Sequence, residues 1–392
     1  MRSSYPASTV FVKDIPPSNN PVNGTDYRNR WTATIMGCAL DVEVAIVLLL
    51  VLGLPGCAAV ADPEPDVAAG RDAPTGMPFD IANLKINWKK RIDAIKTKGL
   101  LPIIDIESSF NSSLNIGRLA QSMDDYGVAL IAYSHEPDGR RWSDATPRVV
   151  RLDPSRFIPT TEAGVHPFWT TDPAGFLAET KKHVLADRYP LMGEFEFRHY
   201  PSPRQYRRGA MYRDVSIPIN GDVGHELFGF AEKTGVAFQI HHEIEDALLP
   251  ALEDMLRRYP KAKVIWCHLA QVRYENRAAT YGPGYVRRLI ETYPNLYFDT
   301  AFGGPNSVYP GSGEHHARIW DRGRGRIKNE WVKLIEQHPW RFLAALDLGG
   351  DRQDQLPEQA LNLRGFLEGL PDGVREIVGY KAAWKLLFGE EL

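Results

Sequence analysis

From residue 81 onward, apolar and polar positions alternate between helical and strand periods. Ile81–Lys98 carries Leu84, Trp88, Ile92 and Ile95 at helical spacing, and Gly99 supplies a stop. The run that follows, Leu100–Ile106 (LLPIIDI), is short and apolar, as a strand buried on both faces should be. The exchange then repeats. Strands are predicted at Val128–Tyr133, Arg156–Thr160, Leu191–Phe197, Val236–His241, Lys263–His268, Leu296–Thr300 and Arg341–Asp347. Helices fall between them at Leu114–Tyr126, Pro173–Arg188, Asp222–Thr234, Leu248–Tyr259, Tyr281–Tyr293 and Lys328–Gln337. Two more, Pro357–Glu368 and Gly373–Phe388, end the chain. Regular alternation of this kind implies a parallel sheet. Eight such units over roughly 250 residues predict an α/β fold of the closed (β/α)8 TIM-barrel type. An open doubly wound sheet is the rival, but no glycine-rich phosphate loop follows the first strand.

The N-terminal part has a different pattern. Val44–Leu54 (VAIVLLLVLGL) is continuously apolar. It is too short for a bilayer span of about 20 residues, but it suits the apolar core of a signal peptide. Leu54-Pro55-Gly56-Cys57 resembles a bacterial lipobox, which would make Cys57 a lipid acceptor. The expected organisation is a disordered leader over 1–35, a signal or lipoprotein-like segment over 36–57, a linker over 58–80 and the barrel over 81–392. Export follows as an expectation: a bacterial periplasmic protein, or one held at the membrane only through its N-terminal anchor or lipid. Composition narrows the partners. The chain is 43% hydrophobic with a formal net charge of −3, so neither wholesale disorder nor nucleic-acid binding is expected. Three cysteines make no disulfide framework.

Barrel chemistry sits at the C-terminal ends of the strands. Reading those ends gives Asp105-Ile106-Glu107-Ser108-Ser109, then Glu194 and Glu196, then His241-His242-Glu243, His268, Asp299 and Asp347. Histidines on neighbouring strands, with a carboxylate on the fourth and an aspartate on the eighth, are a donor set for zinc-like ions. In order and spacing the set resembles the amidohydrolase superfamily, and Met192-Gly193-Glu194 looks like the Gly-Glu of its TatD-type branch. That family carries Asp-x-His-x-His at strand one. Here the stretch reads Asp105-Ile-Glu107-Ser-Ser109, so both strand-one histidines are replaced.

The resemblance implies a small-molecule hydrolase with one divalent metal ion, zinc first, with manganese or iron as alternatives. Its ligands would be Glu194, His241 and His268, with Glu107 and Asp347 as further oxygen donors. Asp347 would move the proton of the attacking water, with His268 beside it in catalysis. Arginine clusters after strands four and seven suggest an anionic substrate, gripped by Arg198 and Arg204 with His242 nearby. Cys267 is expected to face away from His268 by strand alternation. The expected reaction is hydrolysis of a C–N, C–O or P–O bond; the scaffold also supports decarboxylation and hydration. Loss of the strand-one histidines keeps two alternatives open. One is a metal-independent, lactonase-like hydrolase, and the other a catalytically decayed barrel serving as an envelope binding protein. Barrels of this class often pair, so a homodimer is the expected assembly if one forms.

Overall fold

The computed structural model describes residues 78–392. The leader, the apolar segment with Cys57 and most of the linker lie outside the described residues. Eight parallel strands line up in chain order: β1 (Ile103–Phe110), β2 (Val128–His135), β3 (Phe157–Pro159), β4 (Leu191–His199), β5 (Ala237–His242), β6 (Val264–Trp266), β7 (Leu296–Asp299) and β8 (Phe342–Leu343). Ladders join β1 through β3 on one side and β4 through β8 on the other. Parallel bridges Thr160↔Leu191 and Gly164↔Phe195 connect the β3 end to β4. On the other seam, Ile106 N donates to Ala344 O and Asp347 N to Glu107 O, both at 3.0 Å. The sheet is therefore closed, and the predicted barrel is present. Every residue of β2 is buried, as expected of a strand covered on both faces.

Three differences from the pattern reading affect the site. β1 begins later than predicted and runs on to Phe110, so Glu107 and Ser109 lie within the strand rather than after it. β6 ends at Trp266, and His268 follows with φ +65°. The long segment after β7 is not open loop. It folds into two short hairpins, Val308–Tyr309 with Glu314–His315 and Trp320–Asp321 with Arg326–Ile327.

The helix before the barrel, α1 (Ile81–Thr97), buries the predicted stripe Leu84, Trp88, Ile92 and Ile95. Asp80 caps it by accepting from Asn83 N. Trp88 meets Trp384 edge-on at 6.5 Å and Phe388 at 5.6 Å, which seats α1 on the last helix, Ala382–Phe388.

Asp105 ties the closing seam. One carboxylate oxygen accepts from Leu346 N (2.9 Å) and Glu107 N (3.2 Å), and the other from the Ser108 hydroxyl. Burial pushes this carboxyl up to about 8 against the pull of those donors. An acid whose folded pKa lies above its unfolded value of about 3.9 keeps its proton in the fold. Its ionisation then costs stability progressively as pH rises between the two values. Asp105→Asn cannot ionise. Its stability relative to the parent, measured by urea unfolding, should therefore improve from about pH 5 to about pH 8. A gap that stays constant across that window would show that Asp105 ionises normally in the fold.

Candidate metal centre

Glu194 on β4, His241 on β5 and His268 just past β6 come from three adjacent strands and converge. His241 Nδ1 lies 2.8 Å from Glu194 Oε1 and 3.0 Å from His268 Nε2. The third edge, His268 Nε2 to Glu194 Oε1, is 3.3 Å. Gly193 lets β4 come close enough for this. A Cβ there would stand 2.9 Å from Thr161 O and 3.0 Å from Ser134 Cβ. Both imidazoles are buried, whereas the Glu194 side chain is 18% exposed and opens to the cavity.

The outer ring nitrogens are already engaged. His268 Nδ1 donates to Ala301 O at 2.9 Å, and His241 Nε2 meets Glu243 Oε1 at 3.1 Å. Glu243 is itself fixed by Arg273 Nη1 (3.1 Å) and Tyr200 N (3.2 Å). Burial would raise the Glu243 carboxyl, but Arg273 and His241 outweigh it and hold it down at about 2. With their outer N–H groups committed, His241 Nδ1 and His268 Nε2 turn lone pairs toward Glu194. Three such lone-pair donors this close need a proton or a cation between them. Without a cation, protons fill the role. Burial alone would lower His268, yet the bond to Glu194 and the nearby Asp347 and Asp299 raise it to about 9. Glu194 is correspondingly held below the usual carboxylate range by His241 and His268, despite its burial.

A cation fits equally well. Ligand bonds of about 2.0–2.2 Å in a tetrahedral site space the donor atoms roughly 3.3–3.6 Å apart. The observed edges of 2.8, 3.0 and 3.3 Å need only a small expansion to reach that.

The remaining predicted residues are placed unevenly. Asp347, at φ +51°, lies on the cavity wall, and its Oδ1 accepts from Arg352 Nη2 at 2.6 Å. It does not join the three-donor cluster. Glu107 does not join it either: its Oε2 is 3.8 Å from the far nitrogen of His268, Nδ1, and it groups instead with Cys267 and Asp299. Cys267, expected to face away from His268, is buried beside Glu107 and Asp299, where the chain has left β6 and His268 takes a positive φ. Arg204 reaches the cavity, with Nη2 donating to Asp351 at 3.1 Å.

Arg198 does not reach it. That guanidinium is spent on Glu245 (3.0 Å) and Asp214 (2.6 Å), because the end of β4 pairs with the short strand Val215–Ser216. His242 is also turned away. It alternates with His241 along β5, its ring lies against Trp266 at 6.2 Å, and burial lowers it to about 4. Ser109 donates to Glu136 at 2.6 Å and accepts from Gly350 N, so it ties a loop.

The cavity above the three donors measures about 260 Å³ and opens beside a second of about 370 Å³. Arg204, Arg273, Asp347 and Arg352 line both. Of the cavity's other polar groups, the sequence reading named Glu196 without giving it a role and did not reach Arg273 or Arg352. Glu196 pairs with Arg213 and lies 3.6 Å from His199 Nε2. The alternation in Leu-Met-Gly-Glu-Phe-Glu-Phe does put Glu196 on the same side as Glu194. Arg273 and Arg352 come from loops and had no comparable signal.

Residues 163–324 match the family described as Amidohydrolase. That segment contains Glu194, His241 and His268 and excludes β1, where both strand-one histidines are replaced. No curated protein matches the chain. Among solved structures it is similar to a 2,6-dihydroxybenzoate decarboxylase bound to 2,6-dihydroxybenzoate (10% identity, 74% of this chain, 99% of that one, TM-score 0.45). It is also similar to a 5-carboxyvanillate decarboxylase variant from Novosphingobium aromaticivorans with bound manganese (13% identity, 73% and 97%, TM-score 0.44). A third is a probable 2-pyrone-4,6-dicarboxylic acid hydrolase from Acinetobacter baumannii with citric acid bound (12% identity, 74% and 99%, TM-score 0.46).

Proposed function

We propose that this amidohydrolase-type barrel is a metal-dependent hydrolase that holds one divalent cation between Glu194, His241 and His268. Zinc is the first candidate, with manganese or iron as alternatives. The observation that carries the reading is the convergence of three donor atoms whose outer nitrogens are already committed. A cation bound there supplies Lewis acidity, lowering the pKa of water and polarising a carbonyl or phosphoryl oxygen.

The rest falls to the chain's own groups. Glu243 and Ala301 O orient the two imidazoles. Asp347 is the proton acceptor at the cavity wall, and Arg352 fixes its carboxylate on one side. Arg204 and Arg208 stand at the cavity and, among the described residues, share one acidic partner, Asp351, at 3.1 and 3.5 Å. A carboxylate or phosphate on a small substrate can displace that exposed aspartate and take the two guanidinium forks. The bond attacked is C–N, C–O or P–O.

Metal analysis of the full chain, expressed with zinc, manganese and iron supplied, tests the reading. About one equivalent per chain attributable to these three residues is expected. Metal-free protein from replete medium would sink the proposal, and hydrolysis by such protein would select the metal-independent alternative.

A further inference from the structure

The three donors above do not exhaust the buried ligating groups of the barrel. Glu107 on β1, Cys267 after β6 and Asp299 at the end of β7 form a second cluster, with one ligand atom of each within 4.8 Å of the others. Their exposures are 4%, 4% and 0%. One oxygen of Asp299 accepts from His268 N and Ala301 N at 2.9 and 3.1 Å. Its other oxygen, and Glu107 Oε2, have no hydrogen-bond partner among the described residues. A buried carboxylate oxygen left unpartnered is costly, and two beside a thiol are more so. Burial and the surrounding carboxylates push both the Glu107 carboxyl and the Cys267 thiol well up.

We propose that Glu107, Cys267 and Asp299 form a second cation site for a thiophilic divalent ion such as zinc or cobalt(II). Two carboxylate oxygens and one sulfur give it three protein donors, and the soft sulfur selects against magnesium and calcium. Entry is available because Glu107 also lines the mouth cavity. Binding displaces the thiol proton, and any proton on Glu107, to solvent; no electron moves. The site does not depend on the upper three donors. His268 stands between the two, with Nε2 toward Glu194 and Nδ1 3.8 Å from Glu107 Oε2.

Cobalt(II) titration of metal-free full-length protein tests this. About two equivalents should bind, one of them with a near-ultraviolet thiolate-to-cobalt charge-transfer band. Cys267→Ser and Glu107→Gln should each abolish that band and one equivalent, while His241→Ala should remove the other equivalent and spare the band. Far-ultraviolet dichroism checks that each variant is folded. No thiolate band in the parent protein overturns the proposal without recourse to any variant. A band that survives Cys267→Ser belongs to Cys38 or Cys57 and overturns it too. One bandless equivalent, lost in His241→Ala, rejects the deeper site and leaves the upper one standing. A banded equivalent alone, kept in His241→Ala, supports the deeper site and rejects the upper one.

Discussion

His268→Ala is expected to fold, to lose the upper cation and to lower kcat/KM by about three orders of magnitude or more. That floor is well below what the change implies, since metal activation moves the pKa of water by roughly 9 units. Loss of the imidazole leaves Glu194 and His241, and two protein ligands are one short of a catalytic zinc site. The position complicates the experiment, because His268 sits at φ +65° and its backbone N–H is held by Asp299 at 2.9 Å. An activity loss could then reflect a shifted turn. His268→Asn separates the causes, since asparagine tolerates the left-handed region better than alanine does. If the turn is what matters, asparagine should restore activity. If the nitrogen ligand matters, asparagine should be as metal-poor as alanine. Full metal content and unchanged kcat/KM in both variants would remove His268 from the centre.

The sequence made the barrel legible because its strands are buried on both faces and its helices on one. β5 and β6 read clearly for that reason, and Glu194, His241 and His268 could be picked from strand ends. What failed was the assumption that strands continue ideally. β6 stops at Trp266, His268 takes a positive φ, and Cys267 is buried beside Glu107 and Asp299. Simple alternation cannot show a positive φ in a non-glycine residue. Arg198 was misplaced for a related reason. It lies within β4, and its outward direction is fixed by pairing with Val215–Ser216, a contact made by a strand of only two residues. Arg273 and Arg352 were illegible because loops place them. Arg352 settles on Asp347 five residues upstream, whereas Arg273 reaches Glu243 thirty residues upstream.

Glu243→Gln should weaken the affinity for the upper cation by about 10–100-fold, the range for partners that orient a ligating histidine. The glutamine oxygen can still accept from Tyr200 N or Arg273, so the local fold is largely kept. What disappears is the negative charge that fixes the Nε2–H tautomer of His241 and makes its Nδ1 a stronger donor. Glu243 does not line either cavity at the mouth, so KM at saturating metal should stay near its parent value. The loss should appear in the metal concentration needed for half-maximal activity, with kcat recovering as metal is added. A purely structural role predicts something else. Weakening the buried Glu243–Arg273 pair would then lower stability whether or not the cation is bound. Unfolding measured with chelator and with saturating metal distinguishes the two. If the variant falls short of the parent by the same amount in both, Glu243 braces the fold; if the shortfall grows with metal, it positions His241.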